Sequence, residues 1–317
     1  MKHFSKFLNE TYHAKEEDVT KQKVPLVKGD QDTHNFDIQK DTNIPSFMRS
    51  GLVVMSVILL ASIAIAYGGK LTGTDAVTSV INNRISNKEL PIYCVDTPEK
   101  KVALSFDAAW GNEDTQKILD ILKRNDVHVT FFMTGGWVES YPDDVKSIAK
   151  AGHELGNHSE NHKQMSKLSA GECKDEIMKV HEKVKALTGT DMQVFRPPYG
   201  DYNDNLINVV KECGYNAIQW DVDSLDWKDY GTDSILNTVL NHKHLGNGSI
   251  ILCHNGAKYT AQALEQLIKG LKEKGFTLVT MSELIYKDNY EMDVEGRQHL
   301  LNTNNTNSPS SDNDNSN

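Results

Sequence analysis

The stretch Val102–Met133, VALSFDAAWGNEDTQKILDILKRNDVHVTFFM, decides the fold. Val102 to Phe106 is a short apolar run that stops on Asp107, a strand ending in a carboxylate. From Thr115 to Arg124 the residues Ile118, Leu119, Ile121 and Leu122 fall on one helical face, and Val127 to Met133 reads as a strand again. The same alternation continues outward. Asp143 to Ala151 is helical, Glu154 to Asn157 a short strand and Ala170 to Leu187 a long helix. Gln193–Phe195, Asn216–Trp220, Ser249–Cys253 and Thr277–Thr280 supply further strands between helical stretches at 203–213, 232–245 and 261–274. Such regular βα alternation predicts a parallel sheet, closed as a barrel or opened as a doubly wound sheet.

Both architectures place their chemistry beyond the carboxyl ends of the strands. There the sequence puts Asp107, then His158 and His162, then Arg196, then Asp221, Asp223 and Asp226, then His254. Titratable groups after five strands converge on one rim of a barrel, whereas an open sheet splits them between two halves. The pattern therefore favours a barrel with one polar site.

Composition narrows the function. The chain has 317 residues, 38% hydrophobic and 25% charged, enough for one large domain with appendages. Its net charge of −10, from 44 acidic and 34 basic side chains, supplies no general attraction for phosphate backbones and argues against nucleic acid as a partner. Cys94, Cys173, Cys213 and Cys253 form no CxxC pair, which argues against a zinc knuckle or a thioredoxin-like redox site.

Gly51 to Ala66 reads GLVVMSVILLASIAIA, and Tyr67-Gly68-Gly69 extends it without charge. A bilayer span needs roughly 17 to 25 such residues. A cleaved signal peptide is the rival, since Ala64-Ile65-Ala66 has the small-x-small form, but polar residues 1–50 precede the run. We read 51–69 as an uncleaved transmembrane signal anchor, 1–50 as a polar N-terminal tail in the cytoplasm and 70–95 as a linker. Lys40 and Arg49 are nearly matched by Lys70 and Arg84, so charge alone does not orient the helix. Residues 289–317 read as a polar, partly disordered C-terminal tail, because 302–317 is almost wholly Asn, Ser, Thr and Asp.

The residue types at the strand ends suggest a reaction. His158 and His162 are four apart, a spacing that lets two imidazoles face one metal, and a borderline metal such as zinc polarises a carbonyl. Asp107 is then placed to take a proton from water and His254 to protonate a leaving group: metal-assisted hydrolysis.

The order Ser105-Phe-Asp107, His158-Ser-x-x-His162, Arg196-Pro-Pro-Tyr-Gly200, Asp223-Ser-Leu-Asp-Trp227 and Leu252-Cys-His254 resembles the five motifs of the NodB-homology polysaccharide deacetylases, carbohydrate esterase family 4. Ser105-Phe-Asp-Ala-Ala-Trp-Gly111 is most similar to the sporulation-type, PdaB-like branch. The resemblance implies a distorted (β/α) barrel over residues 96–288. It implies an N-deacetylase, a hydrolase acting on carbon–nitrogen bonds of a cell-wall or other N-acetylglucosamine-containing glycan. By the same resemblance Asp107 is the general base and His254 the general acid, with Arg196 orienting Asp107 and Asp226 holding His254 protonated. His158 and His162 are implied as ligands of a divalent metal, zinc or cobalt. The Tyr199 backbone N–H is implied as an oxyanion donor, and Trp227 and Leu252 as walls for the acetyl methyl. A wall polymer as substrate implies a single-pass protein of the cell membrane, catalytic domain outside.

One residue departs from the pattern. Where most of the family has a second aspartate after the base, as a metal ligand, this sequence has Ala108. Either Asp107, Glu113, Asp114 or Glu160 completes the shell, or metal binds weakly, or none binds. Replacing a carboxylate by a methyl also leaves the site more positive, which depresses the pKa of Asp107 and blunts it as a base. The alternative to an enzyme is therefore a glycan-binding or wall-assembly protein with a disabled metal site.

Overall fold

A computed structural model describes residues 88–301, within the compact unit Ile85–Asn317. The N-terminal tail, the apolar run at 51–69, most of the linker and 302–317 lie outside the described residues. Among the described residues no helix is long and apolar enough to cross a membrane.

Eleven strands are described. β1 (Cys94–Val95) is followed by β2 (Lys101–Ala108), α1 (Thr115–Arg124), β3 (Thr130–Met133), α2 (Gly135–Ser140), α3 (Pro142–Lys150), β4 (Glu154–Asn157) and α4 (Ala170–Thr188). The chain goes on through β5 (Val194–Phe195), α5 (Asp204–Glu212), β6 (Asn216–Ala217), β7 (Val222–Asp223), α6 (Thr232–Leu240), β8 (Ile250–His254), α7 (Thr260–Glu273), β9 (Thr277–Val279), α8 (Met281–Leu284), β10 (Tyr290–Met292) and β11 (Arg297–Leu300). The main sheet runs β6-β5-β4-β3-β2-β8-β7, with β9 on the first half of β2. Every pairing in it is parallel. It is a curled half-barrel, open between β6 and β7 among the described pairings, as the expected distorted barrel requires. All its carboxyl ends therefore share one rim.

Strand β2 shows why the rim is polar. Its even residues Val102, Leu104, Phe106 and Ala108 pack with the helices in the outer core, while Ala103 joins the inner cluster with Phe132, Val194, Ile218 and Ile250. Side chains of a strand alternate between faces, so Ser105 and Asp107 point inward with Ala103. Helix boundaries follow local chemistry. In α4, Ser169 and Glu172 form a capping box and Gly189 ends the helix at φ 76°. Losing a cap of this kind costs about 1 kcal/mol.

Two sequence boundaries are corrected. The domain starts earlier than residue 96: Ile92 is buried and bridges Ile218, and β1 is already paired to β11. The polar stretch from 289 is not tail up to 300, because β10 and β11 form an antiparallel hairpin there, with Gln298 fully buried. Polar composition hid it: the pairing is held by backbone and by His299, whose ring bonds Asp96 at 2.9 Å and Asp293 at 3.1 Å.

Candidate active site

Asp107 ends the inward face of β2, and Arg196 follows β5. Arg196 is fully buried. Its Nη1 donates to Asp107 Oδ1 at 2.7 Å and to Ser105 Oγ at 2.9 Å, and its Nη2 donates to the Gln219 carbonyl at 3.2 Å. The guanidinium lies 4.1 Å over the Phe132 ring. Burial pushes the Asp107 carboxyl up, but the adjacent Arg196, then His158 and His254, hold it below the ordinary carboxylate range. The cause is Arg196 and the two histidines, not the methyl at position 108 that the sequence pointed to. Separating a buried pair of this kind costs about 3–5 kcal/mol, because it leaves one charge uncompensated.

His158 follows β4 and is buried. Its Nδ1 lies 2.7 Å from the Arg196 carbonyl, which can only accept, so Nδ1 carries the proton and Nε2 the lone pair. That lone pair faces Asp107 Oδ2 at 3.4 Å. Two acceptors sharing this space suit a bound donor such as water. The His162 ring meets His158 at 4.9 Å, Trp110 at 4.8 Å and Tyr199 at 4.5 Å between centroids. Burial, and then the neighbouring His158, pushes the His162 pKa down to about 3. His158 is lowered too, first by burial. Both imidazoles are neutral at pH 7.

The two histidines converge because their loop is bent. Ser159 and His162 both adopt left-handed backbone, at φ 65° and 52°. For a residue with a Cβ this costs about 1–3 kcal/mol. Local bonds offset it: Ser159 N–H donates to Asn157 Oδ1 at 3.0 Å and His162 N–H to Ser159 Oγ at 3.1 Å.

As a metal site the donor set is short. His162 Nδ1 is buried without a hydrogen-bond partner, which is what a ligating nitrogen looks like. No third donor joins the two imidazoles: among the described residues no group of three or more His, Cys, Asp or Glu side chains is placed to hold a metal ion. None of the alternatives open in the sequence completes the pair, and Asp114 is the N-cap residue of α1. Asp107 is engaged by Arg196, the Glu160 carboxylate pairs with Lys183 and packs against Gly135, and the Glu113 carboxylate folds back on Gly111. Ala108 is wholly buried with the outer core. Catalytic zinc ordinarily has three protein ligands and one open position, so these residues do not fit a resident catalytic zinc.

The opposite side of the rim is complete. His254 ends β8, and its Nδ1 lies 2.7 Å from Asp226 Oδ1. Asp226 Oδ2 accepts from the His254 N–H at 2.7 Å and from Thr260 Oγ1 at 2.6 Å. Burial opposes charge on His254, but the buried Asp226, with lesser help from Asp107, outweighs it and raises the pKa to about 9. Leu252 is two residues earlier on β8, on the same face as His254. Trp227 sits in the short 3-10 turn Asp226–Lys228, and its side chain hydrogen-bonds Asp223, which also accepts from Leu225 N–H at 2.8 Å. Tyr199 lies in the turn Pro198–Gly200 in left-handed backbone, with φ 61°.

Asp221 is not part of the site. Its carboxylate caps the start of β8, accepting from Ile250 N–H at 2.8 Å and Ser249 Oγ at 3.0 Å, at the opposite end from His254. Gln219 and Thr260 were not singled out by the sequence, yet they hold Arg196 and Asp226. Gln219 acts through its backbone carbonyl, which has no sequence signal, and Thr260 is simply the first residue of α7.

Comparison with known proteins agrees with this geometry. The polysaccharide deacetylase family model matches residues 95–218. A peptidoglycan-N-acetylglucosamine deacetylase of Bacillus cereus is 37% identical over 198 residues, covering 61% of this chain and 71% of its own. The peptidoglycan-N-acetylmuramic acid deacetylase PdaA of Bacillus subtilis is 32% identical over 209 residues, covering 65% and 79%. The crystal structure of BA3943 of Bacillus anthracis, described as a CE4 family pseudoenzyme, superposes with a TM-score of 0.59 at 33% identity, over 67% of this chain and 71% of its own. A BA3943 mutant described as having restored enzymatic activity superposes equally well, with a TM-score of 0.59. These matches carry the family but not the sporulation-type branch. With relatives this similar over most of their length, and the five motifs gathered on one rim, the chain belongs to the polysaccharide deacetylases, the hydrolases of carbohydrate esterase family 4.

Proposed function

We propose that this chain is an N-deacetylase of an N-acetylglucosamine-containing cell-wall glycan. The observation that carries the reading is the intact pair of proton-handling groups, Asp107–Arg196 and His254–Asp226, side by side on one rim. Asp107 takes a proton from a water held between its Oδ2 and His158 Nε2. The hydroxide attacks the acetyl carbonyl, the Tyr199 N–H steadies the oxyanion, and His254 gives a proton to the departing amine. Trp227 and Leu252 border the acetyl methyl. Acetate and a free amine result.

No step here passes through a metal, because the donor set is one ligand short. A second reading has its own support: with Ala108 in place of the third ligand, and with BA3943 as a relative, the cleft binds an N-acetylated glycan without turning it over. Acetate release measured beside glycan binding separates the two.

The state of His254 gives a pH prediction. Its folded pKa is raised to about 9, above the ordinary 6.5, so its pairing with Asp226 contributes stability fully below 6.5 and loses it as pH rises through 9. Turnover is expected to persist to about pH 9 and then fall as the acid form is lost. In Asp226→Asn the falling limb of the pH–rate profile is expected to move down toward 6.5. An unmoved limb removes His254 as the acid.

The apolar run 51–69 is proposed as a single-pass anchor holding the domain outside the cell membrane, with 71–90 as spacer, since a wall polymer is found there. Protease added to intact protoplasts is expected to degrade the domain and spare residues 1–50. Protection of the domain with loss of 1–50 reverses the topology.

A further inference from the structure

Helix α4 turns a regular apolar stripe, Cys173, Ile177, Val180 and Val184, toward the core, and one carboxylate shares that buried face: Glu176, only 4% exposed. Nothing in the reaction above uses it. Both its oxygens are committed to the histidine loop: Oε2 accepts from the Asn161 backbone N–H and Oε1 from Asn161 Nδ2, each at 2.8 Å. Lys163 Nζ, on the other side of His162, reaches Oε1 at 2.8 Å. The carboxylate thus grips the residues on either side of His162. These bonds oppose the release of two left-handed residues, Ser159 and His162. An ionised acceptor holding a backbone N–H and an amide in a largely buried setting is among the stronger single ties available.

We propose that Glu176 is a positioning residue, a clamp from α4 that keeps the His158–His162 loop in its bent form and the two imidazoles converged on the cleft. The site it serves is the one in the proposed function, but the clamp itself is testable whether or not that function holds.

The test uses the full chain and Glu176→Ala, with Glu176→Gln as the isosteric variant if the alanine form does not fold. The rate of carbethoxylation of each histidine by diethyl pyrocarbonate is read by peptide mass spectrometry. The clamp predicts that His162 reacts at least about 5-fold faster in Glu176→Ala, with a smaller gain in Glu176→Gln. His181, five residues along the same helix and bonded to Tyr215 at 2.6 Å, keeps its parental rate. Equal acceleration of His181 and His162 means that α4 has merely loosened, and an unchanged His162 rate means that nothing was clamped; either overturns the proposal. On a chain that releases acetate, kcat falls at least about 10-fold in Glu176→Ala with KM within about 2-fold, since the loop orders reacting groups rather than binding sugar. A parent that releases no acetate defeats the deacetylase reading and leaves the labelling result standing by itself.

Discussion

Asp107→Asn and His254→Ala are each expected to lower acetate release by about 10²-fold or more, the usual scale for acid–base groups. The two losses have different structural consequences. In Asp107→Asn the new amide keeps an oxygen for Arg196 Nη1 but supplies no base, and the buried guanidinium then lacks its counter-charge, so some loss of stability accompanies the loss of rate. His254 is at the rim, partly exposed at 17%, so its removal leaves Asp226 with Thr260 Oγ1 and the backbone N–H of position 254 as donors. That variant is expected to keep its fold. Parental turnover in either purified, folded variant removes that residue from the mechanism.

Ala108→Asp is expected to bind metal more tightly than the parent only by re-aiming the last residue of β2 from the outer core toward His158 and His162. The methyl it replaces is wholly buried in the outer core, so the metal-free variant is expected to be less stable than the parent, a carboxylate there being unpaired. Zinc or cobalt is then expected to raise the Tm of Ala108→Asp, because a ligand that binds only the folded state stabilises it, while the parent gains much less. His158→Ala in the same background is expected to abolish the gain. Calorimetric titration of metal into both forms checks this. Metal binding as tight in the parent as in Ala108→Asp shows that another donor already fills the place. No detectable binding in either removes His158 and His162 as a metal pair.

The sequence carried the sheet because its signals are local. Thr115–Arg124 places Ile118, Leu119, Ile121 and Leu122 on one face, and the observed helix has those bounds. Asp107, His158, Arg196 and His254 were readable as a set because each lies within a residue of the carboxyl end of a buried parallel strand. What escaped depends on contacts distant in the chain. Glu176 looks like an ordinary polar helix residue until the loop 15 residues earlier folds onto it. Asp221 and Asp226 are the same residue type five positions apart, yet β8 separates them to opposite ends, Asp221 at Ile250 and Asp226 at His254. The hairpin at 290–300 has no alternating apolar pattern to announce it, being held largely by backbone pairing and by Gln298, which bonds both backbone groups of Tyr286.

The central claim is that this cleft hydrolyses an N-acetyl group with Asp107 and His254 as its proton carriers. Acetate released from N-acetylated wall glycan by the full chain, measured beside His254→Ala with no metal added and with zinc added, tests it most directly. Acetate is expected from the parent in both conditions, and about 10²-fold less from His254→Ala in both. Glycan bound by the parent with no acetate released in either condition would contradict it.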